Sequence, residues 1–305
     1  MKRFFDAAAI TAAATADPRA YIAACEDEFH SQVRQAAETI LSQPGARLVM
    51  LAGPSSSGKT TTARLLRAAL AAHDVRAWTI SLDDFYLDPS EPLLFEDGTP
   101  DYETVHSLDL PCLEQSLGDL LQNNRCLLPR FNFEKRKREE TWEPLVVEPE
   151  DLVIVEGLHA LNPLICDPLD QAALFKVYVS VSSRVTKDGS ILFTKRDLRF
   201  IRRMVRDYQF RASPVEHTFY LWGGVRKGED RYLFPFSDRA DLRIDSIHPY
   251  EPCVFRDEAT ALLRQLPPGT PYEEDAALLR KKLDGFPAID PALVPEDSLL
   301  HEFLG

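Results

Sequence analysis

The chain has 305 residues, a net charge of −13 and an ordinary globular composition, with 45% hydrophobic and 27% charged residues. This length accommodates one large α/β domain, or a core domain with a substantial insertion. A general nucleic-acid binder needs a basic surface, so the acidic balance excludes that class while allowing a local basic site.

Cysteine usage and hydropathy bear on the cellular compartment. The five cysteines are scattered and show no CxxC pair or metal-binding spacing, which fits a reducing compartment. The first 16 residues loosely resemble a secretory signal, but Asp6 interrupts the apolar stretch and alanine supplies most of its hydrophobicity. The sequence contains no run of about twenty apolar residues. We therefore expect a cytoplasmic protein with neither a membrane nor a nucleic-acid partner.

An amphipathic helix is expected near the N-terminus. Asp17-Pro18 is a helix-start signal, and apolar residues recur at helical spacing from Tyr21 to Ile40, until Pro44-Gly45 breaks the pattern. We expect this helix to pack on a main domain. The predicted division is an N-terminal segment 1–45, a main domain 46–270 and a C-terminal helical extension 271–305 packed on the core.

Short apolar runs predict strands that are buried on both faces of a parallel sheet. These runs are Leu48–Ala52, Val75–Ile80, Asp151–Glu156, Leu174–Val181 and Ala240–Ile244. Helical patterns alternate with them, which implies right-handed crossovers and an α/β fold. Ligands of such sheets bind at the carboxyl ends of the strands.

Two insertions interrupt this alternation. Residues 127–148 carry a charged stretch between apolar edges and predict a β-hairpin that projects from the core. Residues 194–232 are basic and helical. Within them, Ser213-Pro214-Val215-Glu216 predicts a capping box at a helix start.

A phosphate-binding loop follows the first buried strand. The sequence fits GxxxxGK[ST] at every fixed position and opens a helix. Its glycines let backbone N–H groups turn inward around phosphates, and the helix start adds a positive dipole end. The predicted nucleotide-binding residues are Gly53, Pro54, Ser55, Ser56, Ser57, Gly58, Lys59, Thr60 and Thr61. Lys59 should reach the β- and γ-phosphates, and the Thr60 hydroxyl should ligate Mg²⁺.

Acidic residues end two neighbouring strands. Glu156 closes a buried apolar strand, where its charge is costly unless it is compensated, and a Mg²⁺ ion beside the phosphates would do so. The alternative is a carboxylate that caps the next loop. Asp83 follows the second strand and is the candidate that orients an acceptor hydroxyl and accepts its proton, with Asp84 as a substitute. The alternative for this pair is a turn with Asx hydrogen bonds.

Basic residues cluster in the second insertion. They are Lys195, Arg196, Arg199, Arg202, Arg203, Arg206 and Arg211. Four of these arginines are three or four residues apart and share a helix face. In an acidic protein, such a face predicts a lid whose guanidinium groups clamp a transferring phosphoryl group. The alternative is a solvated basic face paired with the acidic remainder of the protein.

These motifs together resemble the uridine kinase/phosphoribulokinase branch of P-loop kinases, and most closely bacterial proteins labelled uridine kinase or nucleoside kinase. The resemblance rests on the P-loop and on four further segments. These segments are Ser81–Tyr86, Pro100–Glu103, Val153–Asn162 and Arg199–Asp207. The resemblance extends to Val294–Leu304. It implies a P-loop NTPase three-layer α/β fold with a parallel sheet, a hairpin insertion and a helical lid.

The resemblance also implies roles for individual residues. Catalytic roles fall to Lys59, Asp83, Arg199 and Arg202, and Mg²⁺ ligation falls to Thr60 and Glu156. Acceptor contacts fall to Asp83, Tyr86, Asp101, Phe131, Arg136 and Arg203, with Asp101 on the ribose hydroxyls. The hairpin departs from the pattern of well-known uridine kinases, because Phe131 and Arg136 stand near the places of a tyrosine and a histidine that hold the pyrimidine. The family's base contacts therefore cannot be carried over to these two residues, which remain candidates by position.

The implied activity is transfer of a phosphoryl group from ATP or GTP, with Mg²⁺, to the 5′-hydroxyl of a nucleoside. One rival keeps the fold and takes a sugar phosphate or another polyol, which the basic hairpin would suit. Another rival is a nucleotide-binding regulatory protein. The sequence does not distinguish between these small-molecule acceptors or between ATP and GTP as the phosphate donor, and it allows a homo-oligomer.

Overall fold

The protein is described by a computed structural model over residues 3–88, 93–99, 101–133, 135 and 137–304. Its strands are β1 Phe4–Asp6, β2 Leu48–Ala52, β3 Ala77–Ser81, β4 Arg125–Leu128, β5 Phe131–Asn132, β6 Lys137–Arg138, β7 Glu143–Val146, β8 Leu152–Glu156, β9 Leu174–Ser180, β10 Arg184–Lys187, β11 Ser190–Phe193 and β12 Leu242–Asp245. Its helices are α1 Ala7–Ala16, α2 Pro18–Leu41, α3 Lys59–Ala71, α4 Leu110–Asn123, α5 Pro163–Cys166, α6 Lys195–Arg211, α7 Val215–Tyr232, α8 Glu251–Val254, α9 Arg256–Leu263, α10 Glu273–Leu283 and α11 His301–Leu304.

The central sheet has five parallel strands in the order β12-β9-β2-β8-β3. Side chains of β2 alternate between two hydrophobic cores. Val49 and Leu51 face the core under α2 and α3, whereas Leu48 and Met50 face the core under α4 and α5. Because both faces of the strand are covered, all five of its residues are buried. The predicted three-layer α/β fold and parallel sheet are confirmed.

The N-terminal segment contains the expected helix and an element that the sequence pattern did not reveal. Asp17 caps α2, its carboxylate accepting from the Ala20 N–H at 3.0 Å. Before it, β1 pairs in parallel with β10, which pairs with β11 in a separate three-stranded sheet. Ile10 of α1 is buried in the core beside this sheet. The short β1 escapes pattern analysis because its partner lies about 180 residues away in the sequence.

Both insertions form, with one local difference. Strands β4 and β7 make the base of the hairpin, and β5 pairs with β6 nearer its tip. Helices α6 and α7 form the basic segment. The predicted capping box at residues 213–216 is wrong, because Pro214 is the N-cap residue of α7 and no side chain caps this helix. A capping box stands instead at the start of α6, between Thr194 and Asp197.

The last described residues return to the core of the molecule. Leu299, Leu300 and Phe303 have no exposed surface. Helix α11 contacts α6, so the closing segment lies beside the helix that carries the arginine cluster. Across the described part of the chain, we find no helix with the length and apolarity that crossing a membrane would require.

Candidate active site

The P-loop connects β2 to α3 and has the backbone shape that phosphate binding requires. Ser56 and Gly58 both have positive φ, at 56° and 84°. A Cβ at Gly53 would lie 2.2 Å from the Val179 carbonyl oxygen, so only glycine fits where the loop leaves the sheet. Lys59 folds over the loop and donates to the Pro54 carbonyl at 3.3 Å. The loop amides and the start of α3 therefore form a concave, electropositive cradle.

Arg199 anchors the P-loop from outside the cradle. Its guanidinium makes two bonds to the Glu229 carboxylate, at 2.6 and 2.8 Å, and donates to the Ser55 carbonyl at 3.0 Å. Glu229 in turn accepts from the Ser55 N–H at 2.9 Å. Both side chains are at most 1% exposed. The pair thus holds both backbone groups of one P-loop residue.

Arg202 has an equivalent position one helical turn further along α6. It pairs with Glu251 at 2.6 Å and donates to the carbonyls of Ser246 at 2.7 Å and Ser56 at 3.5 Å. Its side chain has no exposed surface. The predicted clamp of Arg199 and Arg202 on the transferring phosphoryl group stays a prediction. Their charges are compensated by buried carboxylates, and their donors point at P-loop carbonyls.

A buried carboxylate stands at the metal side of the cradle. Glu156 ends β8, and its Oε1 lies 3.4 Å from the Thr60 hydroxyl and 3.2 Å from the Ser81 hydroxyl. Burial raises the pKa of Glu156, an effect that Lys59 opposes and Asp83 reinforces. The tertiary structure thus brings together Thr60 and Glu156, which are 96 residues apart in the sequence.

Mg²⁺ fits this side of the site. The ion takes oxygen ligands, and it is usually held by one or two carboxylates together with substrate phosphates rather than by an all-protein cage. Within the described residues, no group of three or more His, Cys, Asp or Glu side chains could hold a metal. The Thr60 hydroxyl and the Glu156 carboxylate, whose buried charge lacks full compensation, are the residues that would hold the ion.

Asp83 lies within the electrostatic reach of the P-loop lysine. Burial raises the pKa of the Asp83 carboxyl, and the cations Lys59, Arg211 and Arg206 oppose that shift. Asp84 faces away from them. Its carboxylate accepts from the Phe131 N–H at 3.3 Å and lies 3.6 Å from Arg130, so it fastens the hairpin. Only Asp83 of this pair therefore faces the cationic groups of the cradle and lid.

Three aromatic rings contact one another where the hairpin meets the segment that carries Asp83. The Tyr86 ring lies 5.7 Å from that of Phe131, which lies 5.0 Å from that of Phe133. Phe133 is 60% exposed, so its ring remains available to a ligand. Arg136, the other predicted hairpin contact, lies outside the described residues. Phe133 was missed in sequence analysis, although its spacing of two from Phe131 in a hairpin places both rings on one face.

Asp101 is held by two hydrogen bonds. Its carboxylate accepts from the Tyr232 hydroxyl at 2.6 Å and from the Glu103 N–H at 3.2 Å. The half-buried Glu103 carboxyl faces Arg203, and burial raises its pKa to about 7 while Arg203 opposes the shift. Arg203 also donates to the Ser55 hydroxyl at 2.8 Å. Glu103 and Tyr232 were not predicted as site residues, since nothing in their local sequence marks them.

The fold and this cradle define the class: a P-loop nucleotide-binding phosphotransferase. The sequence matches the Phosphoribulokinase / Uridine kinase family over residues 48–250. A uridine kinase from Lactobacillus helveticus is 31% identical over 198 residues, covering 64% of this chain and 84% of that protein. A uridine kinase from Staphylococcus haemolyticus is 28% identical over 200 residues, covering 65% and 86%.

Among solved structures, phosphoribulokinase from Rhodobacter spheroides aligns with a TM-score of 0.44 and 15% identity, over 68% of this chain and 74% of that one. This similarity is too distant to bear on the acceptor. The match over residues 48–250 shows that the chain belongs to the phosphoribulokinase/uridine kinase family. It is accordingly a P-loop kinase, which transfers a phosphoryl group from a nucleotide to a hydroxyl.

Proposed function

We propose that this kinase phosphorylates the 5′-hydroxyl of a nucleoside with ATP or GTP as donor and Mg²⁺ as cofactor. The observation that carries the proposal is a group of aromatic rings near Asp83. Tyr86 lies within electrostatic reach of the Asp83 carboxylate, and its ring contacts the rings of Phe131 and Phe133 in the hairpin. Aromatic side chains bind the flat face of a base without regard to its hydrogen-bonding pattern. The kinship with uridine kinases supports the same acceptor class.

In this proposal each group of the site has one task. The P-loop amides and Lys59 bind the donor phosphates, and Asp83 orients the acceptor hydroxyl and accepts its proton. Bound Mg²⁺, held at Thr60 and Glu156, supplies neutralisation of phosphate charge. Asp101, fixed by Tyr232, accepts hydrogen bonds from the sugar hydroxyls, since each carboxylate oxygen keeps a second lone pair.

In this proposal, the lid arginines that stabilise the transferring phosphoryl group differ from those predicted from the sequence. Arg206 and Arg211 face Asp83 electrostatically. Both pair with the buried Asp207, Arg211 at 3.2 Å and Arg206 at 2.9 Å, but the Arg211 side chain is 58% exposed. We propose that these two guanidinium groups, rather than Arg199 and Arg202, stabilise charge on the transferring phosphoryl group.

A second candidate acceptor is a sugar phosphate, because Lys135 and Lys137 of the hairpin are exposed. Arg138 is not part of that argument. Its guanidinium pairs with Asp109 at 2.9 Å and donates to the carbonyls of Phe85 and Tyr86, so it fastens the hairpin to the body.

The test is a Mg-ATP phosphorylation screen over uridine, cytidine, the purine nucleosides, ribulose 5-phosphate and other polyols, with Lys59→Ala as the blank. Product from a nucleoside that disappears in the Lys59→Ala variant is the expected result and names the base. Product from a sugar phosphate alone would replace the acceptor but keep the mechanism. ATP binding with no product from any acceptor would favour a regulatory protein.

A further inference from the structure

Residues 294–304, here called the C-terminal strap, lie against the outer side of the P-loop. The side chain of Leu299 packs on Gly58, where an added Cβ would lie 2.3 Å from Leu299 Cδ1. The Asp297 carbonyl accepts from Arg64 of α3 at 3.2 Å. Ser298 is fixed from the other side by a bond of 2.7 Å to Glu26. The strap backbone is therefore a fixed part of the core around the nucleotide-binding loop.

One side chain of the strap reaches into the start of α3. The Glu302 carboxylate accepts from the Thr61 hydroxyl at 2.9 Å and from the Thr61 N–H at 3.4 Å. Thr61 is the third residue of the helix, where backbone amides lack an intrahelical partner and the helix dipole attracts negative charge. In a P-loop these amides bind phosphate oxygens of the nucleotide. A carboxylate thus stands where an anionic ligand belongs.

The two anions cannot both use Thr61. The Glu302 carboxylate is close enough to Glu156 to raise that residue's pKa, so it adds negative charge to a site that must accept a triphosphate. Glu302 itself is half-buried, whereas its neighbours Leu300 and Phe303 have no exposed surface. Rotation of the Glu302 side chain can therefore vacate Thr61 while the strap stays packed.

We propose that Glu302 is a built-in competitor for the nucleotide phosphate that Thr61 binds, the α-phosphate. The carboxylate satisfies Thr61 in the empty enzyme and is displaced when the nucleotide enters. This exchange lowers the affinity for both substrate and product nucleotides. In this proposal the lower nucleotide affinity is accompanied by a faster dissociation of the product nucleoside diphosphate.

The test measures nucleotide binding to the full chain without any acceptor, so its result is independent of the acceptor proposed above. Titration calorimetry compares ADP and ATP binding to wild type, Glu302→Gln and Glu302→Ala. Both variants remove the competing charge, and we expect the Kd for ADP and ATP to fall roughly fivefold or more, the size of a modest coupling between two ligands. Glu296→Gln is the matched control, since Glu296 is exposed, lies in the same strap and carries the same charge.

Thermal unfolding of each variant verifies that the strap still packs. Unchanged or weaker nucleotide binding by a folded Glu302→Gln variant would overturn the proposal. Weaker binding that appears only with Mg²⁺ would also overturn it, because Glu302 would then belong to the metal side of the site. An equal gain in affinity from Glu296→Gln would reduce the effect to general charge and would equally contradict it.

Discussion

Arg199 and Glu229 form a buried bidentate ion pair, with N–O distances of 2.6 and 2.8 Å, that holds the backbone of Ser55 in the P-loop. The arginine donates to the Ser55 carbonyl, and the glutamate accepts from its N–H. One ion pair thus joins α6, α7 and the phosphate cradle. Arg199, which the sequence assigned to catalysis, thus also supports the backbone of the P-loop.

Loss of this support should weaken both the fold and nucleotide binding. Arg199→Met leaves the Glu229 charge buried without its partner, which costs about 3–5 kcal/mol in the free energy of unfolding. We expect Arg199→Met with Glu229→Met to recover most of that stability but not the ATP affinity, because Ser55 has lost its partners. Denaturant unfolding measures the stability of each variant, and ATP titration measures its affinity for ATP. Arg239→Met is the control, because it disrupts an exposed ion pair. A single variant that loses only kcat would restore Arg199 to the catalytic groups.

Asp83 should affect the rate and not the fold. We expect Asp83→Asn to lower kcat by roughly 10²–10⁴-fold, the usual contribution of a general base. Its free energy of unfolding should stay close to that of wild type, because Asp83 is an exposed residue. Asp84→Asn is the control and should raise the acceptor KM more than it lowers kcat, since Asp84 fastens the hairpin. Near-normal turnover by a folded Asp83→Asn variant would remove Asp83 from the mechanism.

Arg206 should contribute to the transition state. Removing one donor aimed at developing charge costs roughly 10²–10³-fold in kcat, and we expect a loss of this order in Arg206→Ala with little change in ATP affinity. Steady-state kinetics at saturating ATP test this. Arg196→Ala is the control on the same helix, where the lost contact is with the exposed Asp230. Equal losses in both variants would assign the effect to helix packing.

Phe131 should contribute to acceptor binding. Stacking of a base on an aromatic ring is worth about 1–3 kcal/mol, so Phe131→Ala should raise the nucleoside KM while leaving the KM for ATP unchanged. Kinetics with each substrate varied in turn give the two constants. Phe4→Ala removes an exposed ring that is remote in sequence from Phe131, and it should change neither the nucleoside KM nor the KM for ATP. A rise in the KM for ATP alone would place the ring on the donor side.

Glu26 should link stability to acid pH. Burial raises the pKa of this carboxyl, but the His248 imidazole 3.4 Å away and hydrogen bonds from Tyr250 and Ser298 outweigh that effect and lower the pKa to about 2. The depressed pKa stabilises the fold above the unfolded value of about 4.5, and this contribution disappears as the pH falls towards 2. It amounts to something on the order of 3 kcal/mol.

The corresponding variant tests this assignment. Glu26→Gln should lower the free energy of unfolding at pH 7, and the gap to wild type should narrow between pH 5 and pH 3. Asp27→Asn is the control, because Asp27 is the exposed neighbour with the same charge. A gap that stays constant over this range would show that Glu26 contributes through packing and not through its charge.

Features that depend on neighbouring residues could be predicted from the sequence alone. Glycine spacing and Lys59 define the phosphate loop, because a backbone that must turn inward at Gly53 and Gly58 allows few other residues. Continuous apolar runs identified the strands of the parallel sheet, because burial on both faces leaves no place for polar side chains. Asp17 and Pro18 marked the start of α2 through local hydrogen bonding and a fixed φ.

Which charges face each other depends on the packing of distant elements and could not be predicted from the sequence. Helical spacing placed the arginines of α6 on one face, but it could not indicate that Glu229 and Glu251 cover Arg199 and Arg202, since those partners lie 30 and 49 residues away. The contact between Thr61 and Glu302 joins residues 241 positions apart. Such pairs arise from packing of distant elements, and the free energy of a buried charge depends on that packing rather than on the local sequence.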